Sequence, residues 1–434
     1  MYRSLDEAAP NARRAPDRYP VHRVHPSPAS CWTPTLLALA IALAGCGPSN
    51  AEHHATNDAS DAGDTTFDSA PVHDAGDAAA EPDAPEDAAS GEDVVPDAIE
   101  DPVAIDPGDA LPARPGVRTC VFGTLDRPDA DVPVRLSTTG CVDGTAPAAE
   151  FVPYEVNAAL WTDGADKARY ISTPLDAPIT VADDGRWTLP VGTVLLKHFA
   201  GPSDSDRADA VLETRFMART PEGWLFRTYR WDDDGADATL VRDGTTVPLV
   251  TGDGPMAYVV PDETQCGYCH AATAEEVLGP RPGQLDREVQ YASGVAAQLD
   301  VFVALGMLDD PSAADPWPDP FDETAPLETR ARAWLAANCG HCHQPGGWRP
   351  PELTLDLQFE TSFADTNTCG ERLQYTSHVP GEVRIEPGDA DASNLWLRMT
   401  EHGLGRMPSL ATNRPDPRGI ALVRAWIQSM DGCP

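Results

Sequence analysis

Two short segments carry residue types that could do chemistry: Cys266-Gly-Tyr-Cys269-His270 and Cys339-Gly-His-Cys342-His343. Both have C-x-x-C-H spacing. Two thiols three positions apart on one helical turn can each add to a vinyl group on the same porphyrin edge, and the next residue then sets an imidazole under the iron. The spacing predicts two covalently bound c-type haems, attached through Cys266, Cys269, Cys339 and Cys342, with His270 and His343 as proximal iron ligands. Two other chemistries compete. Paired C-x-x-C segments can hold zinc, but each trailing histidine would then be a coincidence. C-G-x-C is also a redox dithiol pattern, which needs a strand before it and a helix opening at it. Here the second segment closes a helical pattern instead.

That pattern runs from Thr324 to Asn338, with Thr324 as capping residue, Pro326 near the first turn, and Leu327, Ala331, Trp334 and Leu335 at helical spacing. After His343 come a Pro- and Gly-rich loop, a short helix over Ser393–Met399, the dipeptide Met407-Pro408, and a last helix over Asp416–Ser429. This order resembles a class I cytochrome c: leading helix, haem segment, loop, distal methionine, closing helix. The resemblance implies Met407, 64 positions after His343, as sixth iron ligand, with Met399 as its rival. His/Met ligation raises the iron potential and fills both axial sites, which suits electron transfer better than ligand activation. Around the first segment the pattern is less complete. Val289–Leu308 has helical periodicity, and Met307, 37 positions after His270, is a candidate distal ligand. Met256 and His198 are others, and an open distal position is the remaining option.

The elements that must position these groups are of two kinds. From Cys120 to about Val260, runs of β-branched and aromatic residues alternate with Gly, Pro and Asp turns. Leu212–Arg219 and Trp224–Trp231, joined through Pro221-Glu-Gly, read as a hairpin, and an antiparallel sheet or sandwich fits. Glu213, Arg215 and Asp163 could be site residues, but read more simply as an ion pair and a turn residue. In an exported protein Cys120 pairs with Cys141, and Cys369 with Cys433, as disulfides.

Export is read from the N-terminus. Pro34–Gly45 is apolar and follows several Arg, and is too short to span a bilayer. It ends in Leu43-Ala44-Gly45-Cys46, which looks like a bacterial lipobox, implying lipidation of Cys46 and a membrane anchor, with Gly47 leaning to the outer membrane. Residues 46–113 hold eighteen Asp or Glu and no Lys or Arg. Such a chain self-repels and buries little, so it reads as a disordered tether. The chain of 434 residues has a net charge of −38 and no basic stripe, which excludes a nucleic-acid backbone as partner.

The expected architecture is multidomain α+β: a signal peptide (1–45), a disordered acidic tether (46–116), an antiparallel β domain (117–262), a first haem segment (263–316) and a mostly α-helical cytochrome c-like domain (317–434). The chain also resembles a family of uncharacterised bacterial exported proteins in which a β-rich domain precedes two haem segments. The likeness rests on Val152–Ala165 (VPYEVN…LWTDGA), Leu189–Phe199 (LPVGTVLLKHF) and Leu212–Trp231 (LETR…GW…YRW), and spans about residues 119–430. It implies a multihaem cytochrome with a partner β domain. The expected role is one-electron transfer between periplasmic or cell-surface redox proteins through a small, transient interface. Two alternatives stay open: a haem oxidoreductase or peroxidase-like enzyme whose β domain binds substrate, and a dithiol or zinc protein without haem.

Overall fold

The computed structural model describes residues 103–182, 186–270, 279–311, 315–348, 353–374, 378–410 and 412–434. Cys46, the signal segment and most of the acidic tether lie outside them. Residues 103–116 lie against the body: Ile105 N donates to Val295 O at 2.9 Å, and Arg114 donates to Thr173 Oγ1 and Pro174 O. No helix among the described residues is long and apolar enough to cross a membrane.

The strands in chain order are β1 (Val142–Asp143), β2 (Ala146–Pro147), β3 (Val152–Pro153), β4 (Asp166–Ser172), β5 (Thr180–Val181), β6 (Trp187–Thr188), β7 (Val194–Ala200), β8 (Val211–Thr220), β9 (Gly223–Trp231), β10 (Ala238–Val241), β11 (Thr245–Thr251) and β12 (Gly254–Val260). Six of them form one antiparallel sheet in the order β10-β9-β8-β7-β4-β3. β8 and β9 meet in register Thr220↔Gly223, closed by Pro221-Glu222, and β11 and β12 form a separate hairpin.

Alternation decides what each face of the sheet buries. On one face Leu196, Phe216, Leu225, Tyr229 and Trp231 pack with Phe122 and the Cys120–Cys141 disulfide. Phe122 and Phe216 stack with ring centroids 4.4 Å apart. His198 lies on this face, with Nδ1 2.7 Å from Thr214 Oγ1. The other face is divided. At one end Val152, Ile171 and Leu195 form a core with Leu285, Leu299, Phe302, Met307 and Leu308. At the other end the same face presents Lys167, Lys197, Phe199, Arg215, Phe226 and Thr228 to a cavity.

Beyond the sheet the order is α1 (Glu263–His270), α2 (Pro282–Leu285), β13 (Glu288–Tyr291), β14 (Gly294–Ala297), α3 (Gln298–Ala304), α4 (Leu327–Leu335), α5 (Asn394–Thr400) and α6 (Pro417–Gln428). The mostly α-helical, cytochrome c-like haem domains expected from the sequence are not seen: strands hold 27% of the described residues and helices 21%. Two physical reasons account for this. The segment carrying the first cysteine pair gives its large apolar residues to the sheet's core rather than to a helical core of its own. The chain between α4 and α5 is mainly loop, rich in Pro and Gly. The long helix expected over Val289–Leu308 is instead a hairpin followed by two turns of helix. Val289 and Tyr291 are buried while Glu288 and Gln290 are exposed, a period of two. Gly294 closes that hairpin at φ +147, where a Cβ would lie 2.6 Å from Val103 O and from a methyl of Ile105.

α4, α5 and α6 share a small core of Ala331, Trp334, Leu335, Met399, Val423, Trp426 and Ile427. Asp416 caps α6 by accepting from Arg418 N at 3.0 Å, and its other oxygen accepts from Trp334 Nε1 at 2.9 Å. Thr324 does not cap α4; its N–H and hydroxyl both donate to Asp322 Oδ1. The helix continues into a wider turn, Ala336–Gly340, that carries Cys339. The Cys369–Cys433 disulfide ties the chain's end to the loop before α5.

Candidate functional site

Each cysteine pair is set in place by a small number of polar contacts. α1 begins two residues after β12, and its first turn is held by a reciprocal cap: Gln265 N donates to Asp262 Oδ1 at 2.7 Å and Asp262 N donates to Gln265 Oε1 at 3.1 Å. Glu263 then pairs with Arg227 of β9 and Arg242, fixing the helix across the sheet. Cys266, Cys269 and His270 thereby face the cavity whose floor is the polar end of the sheet.

The second pair is latched to the loop between β3 and β4 through Asn338. Its Oδ1 accepts from Trp161 N at 2.7 Å, and its Nδ2 donates to Trp334 O and Ala159 O. Asp163, a residue in the left-handed region at φ +52, accepts from the backbone N–H of Asn413 and Arg414 at 2.6 and 2.8 Å. That contact draws the loop before α6 over the sheet, so that Pro408, Leu410 and Thr412 complete the cavity wall.

These latches bring the two cysteine pairs together. One ligand atom each of Cys269, His341 and Cys342 lies within 4.8 Å of the others. Tyr268 of the first segment stacks on Trp348 after the second, with centroids 4.4 Å apart. Cys339 and His343 face a second cavity of about 260 Å³. Its wall is mostly apolar, with Leu353, Leu355, Leu357, Leu373 and Leu395, and it also holds Met399 and Met407. Met407 N donates to Arg398 O at 2.9 Å, which holds the methionine loop beside α5.

Burial sets the protonation of these groups. It pushes the Cys266 thiol up to about 11, against the pull of Arg215, and the Cys339 thiol up to about 12. Cys269 is raised too, first by its hydrogen bond to Cys342 and then by burial. Cys342 moves the other way: its hydrogen bond with Cys269 lowers it, the direction an attacking thiolate takes. His270 is pushed well below the usual imidazole range by burial and then by Lys197, His341 and Arg215, so it stays neutral, the form that binds a metal. Its Nδ1 is buried with no hydrogen-bond partner. The phenyl ring of Phe226 lies 5.5 Å from the imidazole, centroid to centroid.

A haem can be tested against these residues. A neutral buried imidazole at His270 and an apolar cavity that holds Cys339, His343 and the thioether sulfurs of Met399 and Met407 fit a c-type haem, whereas Cys342 lies against Cys269 and does not line that cavity. The other expected residues fall elsewhere. Met307 is fully buried in the sheet's apolar core beside Phe302 and is not part of the cavity that holds His270. His198 lies on the opposite face of the sheet, and burial lowers its pKa to about 4. Met256 packs at the edge of the β11–β12 core. Glu213 and Arg215 form an ion pair, with Arg215 Nε 2.8 Å from Glu213 Oε2, and Tyr258 donates to Glu213 at 2.7 Å.

Sequence reasoning missed His341, which lines the first cavity from the middle of the second cysteine segment. It also missed the cations Lys167, Arg169 and Lys197. Their signal was period-two placement, but their convergence depends on the register of three strands. Compared with known proteins, the chain matches no family model, no curated protein and no solved structure.

Proposed function

We propose that the chain is a lipid-anchored, exported dihaem c-type cytochrome that transfers single electrons between periplasmic or cell-surface redox proteins. The observation that carries this reading is the cavity where Cys339, His343, Met407 and Met399 meet among leucines. Cys339 and Cys342 would hold one haem, with His343 as proximal ligand and Met407 as distal ligand. Cys266 and Cys269 would hold the other, with His270 as its proximal ligand. Bound there, the iron supplies reversible one-electron exchange. Leucines make up much of the wall of the second site, and Met407 is positioned by its backbone bond to Arg398. The closeness of Cys269 to Cys342 supports exchange within the pair, since groups bonded to these sulfurs would adjoin. The lipobox at Cys46 and the acidic tether support an anchored, exported protein, and the three β-domain segments support kinship with the exported family they resemble.

A second reading has its own observation. Cys269, His341 and Cys342 cluster as three ligands of a zinc or copper site would. A pyridine haemochrome spectrum separates the two. Protein made in a host with cytochrome-maturation machinery should give two covalent haems per chain, and Cys266→Ser/Cys269→Ser should give one. Met407→Ala should abolish the far-red charge-transfer band of the oxidised protein, whereas Met399→Leu should keep it. A colourless chain with bound zinc would favour the second reading. Carbon monoxide binding to the reduced wild type would point to an open distal position and to catalysis at the first haem.

A further inference from the structure

The polar end of the sheet gathers four basic side chains on one face. Register places Arg169 of β4 directly across from Lys197 of β7, and Lys197 directly across from Arg215 of β8. Side chains at such positions start only about 5 Å apart, and like charges there repel. Lys167 stands on the same face one pair along, opposite Phe199. Among the described residues, Arg215 is the one of these four paired with a carboxylate, Glu213. Lys167 Nζ donates to the carbonyls of Leu160 and Ala165. Among the described residues Lys197 has no hydrogen bond and no ion pair. Its one specific contact is the Phe199 ring, 6.0 Å from Nζ to the centroid.

Lys197 is half-buried and lines two adjoining cavities, one with Lys167, Arg215 and His270, the other with Arg169, Arg281 and His341. The cost of keeping an ammonium away from bulk water is normally offset by a nearby anion; here burial, then Arg169 and Arg215, lower the Lys197 pKa to about 7, and a bound anion would raise it again. In a chain of net charge −38 such a cluster is no consequence of composition. The floor around it is apolar and aromatic: Leu195, Phe199, Met217 and Phe226.

We propose that this cationic floor is an anion site that binds a carboxylate or a similar oxyanion, with Lys197 at its centre and Arg169, Arg215 and Lys167 around it. Two sources offer the same chemistry: a small anion entering from solvent, or the carboxylates of a haem held by Cys266 and Cys269. Only the second source rests on the haem reading.

The test has one arm for each source, on the full folded protein, with Lys197→Gln and Arg169→Gln as variants and circular dichroism confirming that both fold. In the first arm, sodium phosphate and sodium acetate are titrated calorimetrically at low ionic strength. A free-anion site predicts saturable binding that weakens at least tenfold in Lys197→Gln, with or without haem in the chain. In the second arm, resonance Raman spectra of the haem-loaded protein follow the propionate bending modes. An internal carboxylate predicts that these modes shift in Lys197→Gln and Arg169→Gln. Failure of the haem reading shows separately, as absence of covalent haem, and leaves the first arm intact. Folded variants with unchanged anion titration and, where haem is present, unchanged propionate modes would overturn the proposal. So would anion binding that both variants retain in full.

Discussion

One amide, Asn338, joins the second cysteine segment to the loop between β3 and β4 by accepting from the Trp161 N–H and donating to the Ala159 carbonyl, while also donating to Trp334 O of its own helix. It is buried, so its removal leaves those groups without partners, at a cost of roughly 1–3 kcal/mol. Asn338→Ala should therefore lower the denaturant midpoint, and in the haem-loaded protein it should loosen the second segment against the first. An unchanged midpoint would mean that the latch carries no stability. At this scale the sequence was informative wherever chemistry depends on local spacing. The two C-x-x-C-H segments are readable because each lies within a few residues, and the two disulfide pairs because they follow from the expectation of export. Lys197 and His341 were not, because what makes them notable is what faces them from strands and loops far along the chain.

The crossing of α4 and α6 depends on a position without a side chain. A Cβ on Gly419 would lie 2.2 Å from the Trp334 ring, whose indole N–H is bonded to Asp416 at the start of α6. Gly419→Ala must push the helices apart or turn the indole, and overpacking of this kind costs roughly 1–3 kcal/mol. A lower melting temperature, with the near-ultraviolet tryptophan signal altered, is the expected outcome; a melting temperature equal to wild type would show that the contact relaxes freely. Elements were legible where one period dominated. The β8–β9 hairpin and α6 have clean periodicity and plain turn or cap residues. Val289–Leu308 does not: Val295, Leu299 and Phe302 also fit a helical count, and the period of two at Val289 and Tyr291 is only four residues long. Gly294 settles the choice, through its close approach to residues 103–105.

For the whole molecule, the misjudged quantity was where the apolar residues around the two cysteine segments go. Leu285, Leu299, Phe302 and Met307 complete the core of the sheet, so no separate helical domain forms around the first segment. The helices after residue 327 share a small core, and the Cys369–Cys433 bond closes a loop with a sequence separation of 64 around α5 and α6. On a chain-entropy argument such a cross-link contributes up to about 4 kcal/mol. Replacing both cysteines by alanine should move the denaturant midpoint down, with the loss reduced if the haem of the second segment also braces this region. A midpoint unchanged from wild type would argue that α5 and α6 are held by packing alone.

The central claim is that porphyrin is bonded to both cysteine pairs. Intact-mass spectrometry of the denatured, reduced protein from a cytochrome-maturing host reads this directly, because thioether-bound haem survives denaturation while zinc and non-covalent haem do not. The account predicts the polypeptide mass plus two haems, and plus one when Cys339 and Cys342 are replaced by serine. A polypeptide mass with no haem, from a host that loads a known c-type cytochrome in parallel, would contradict it.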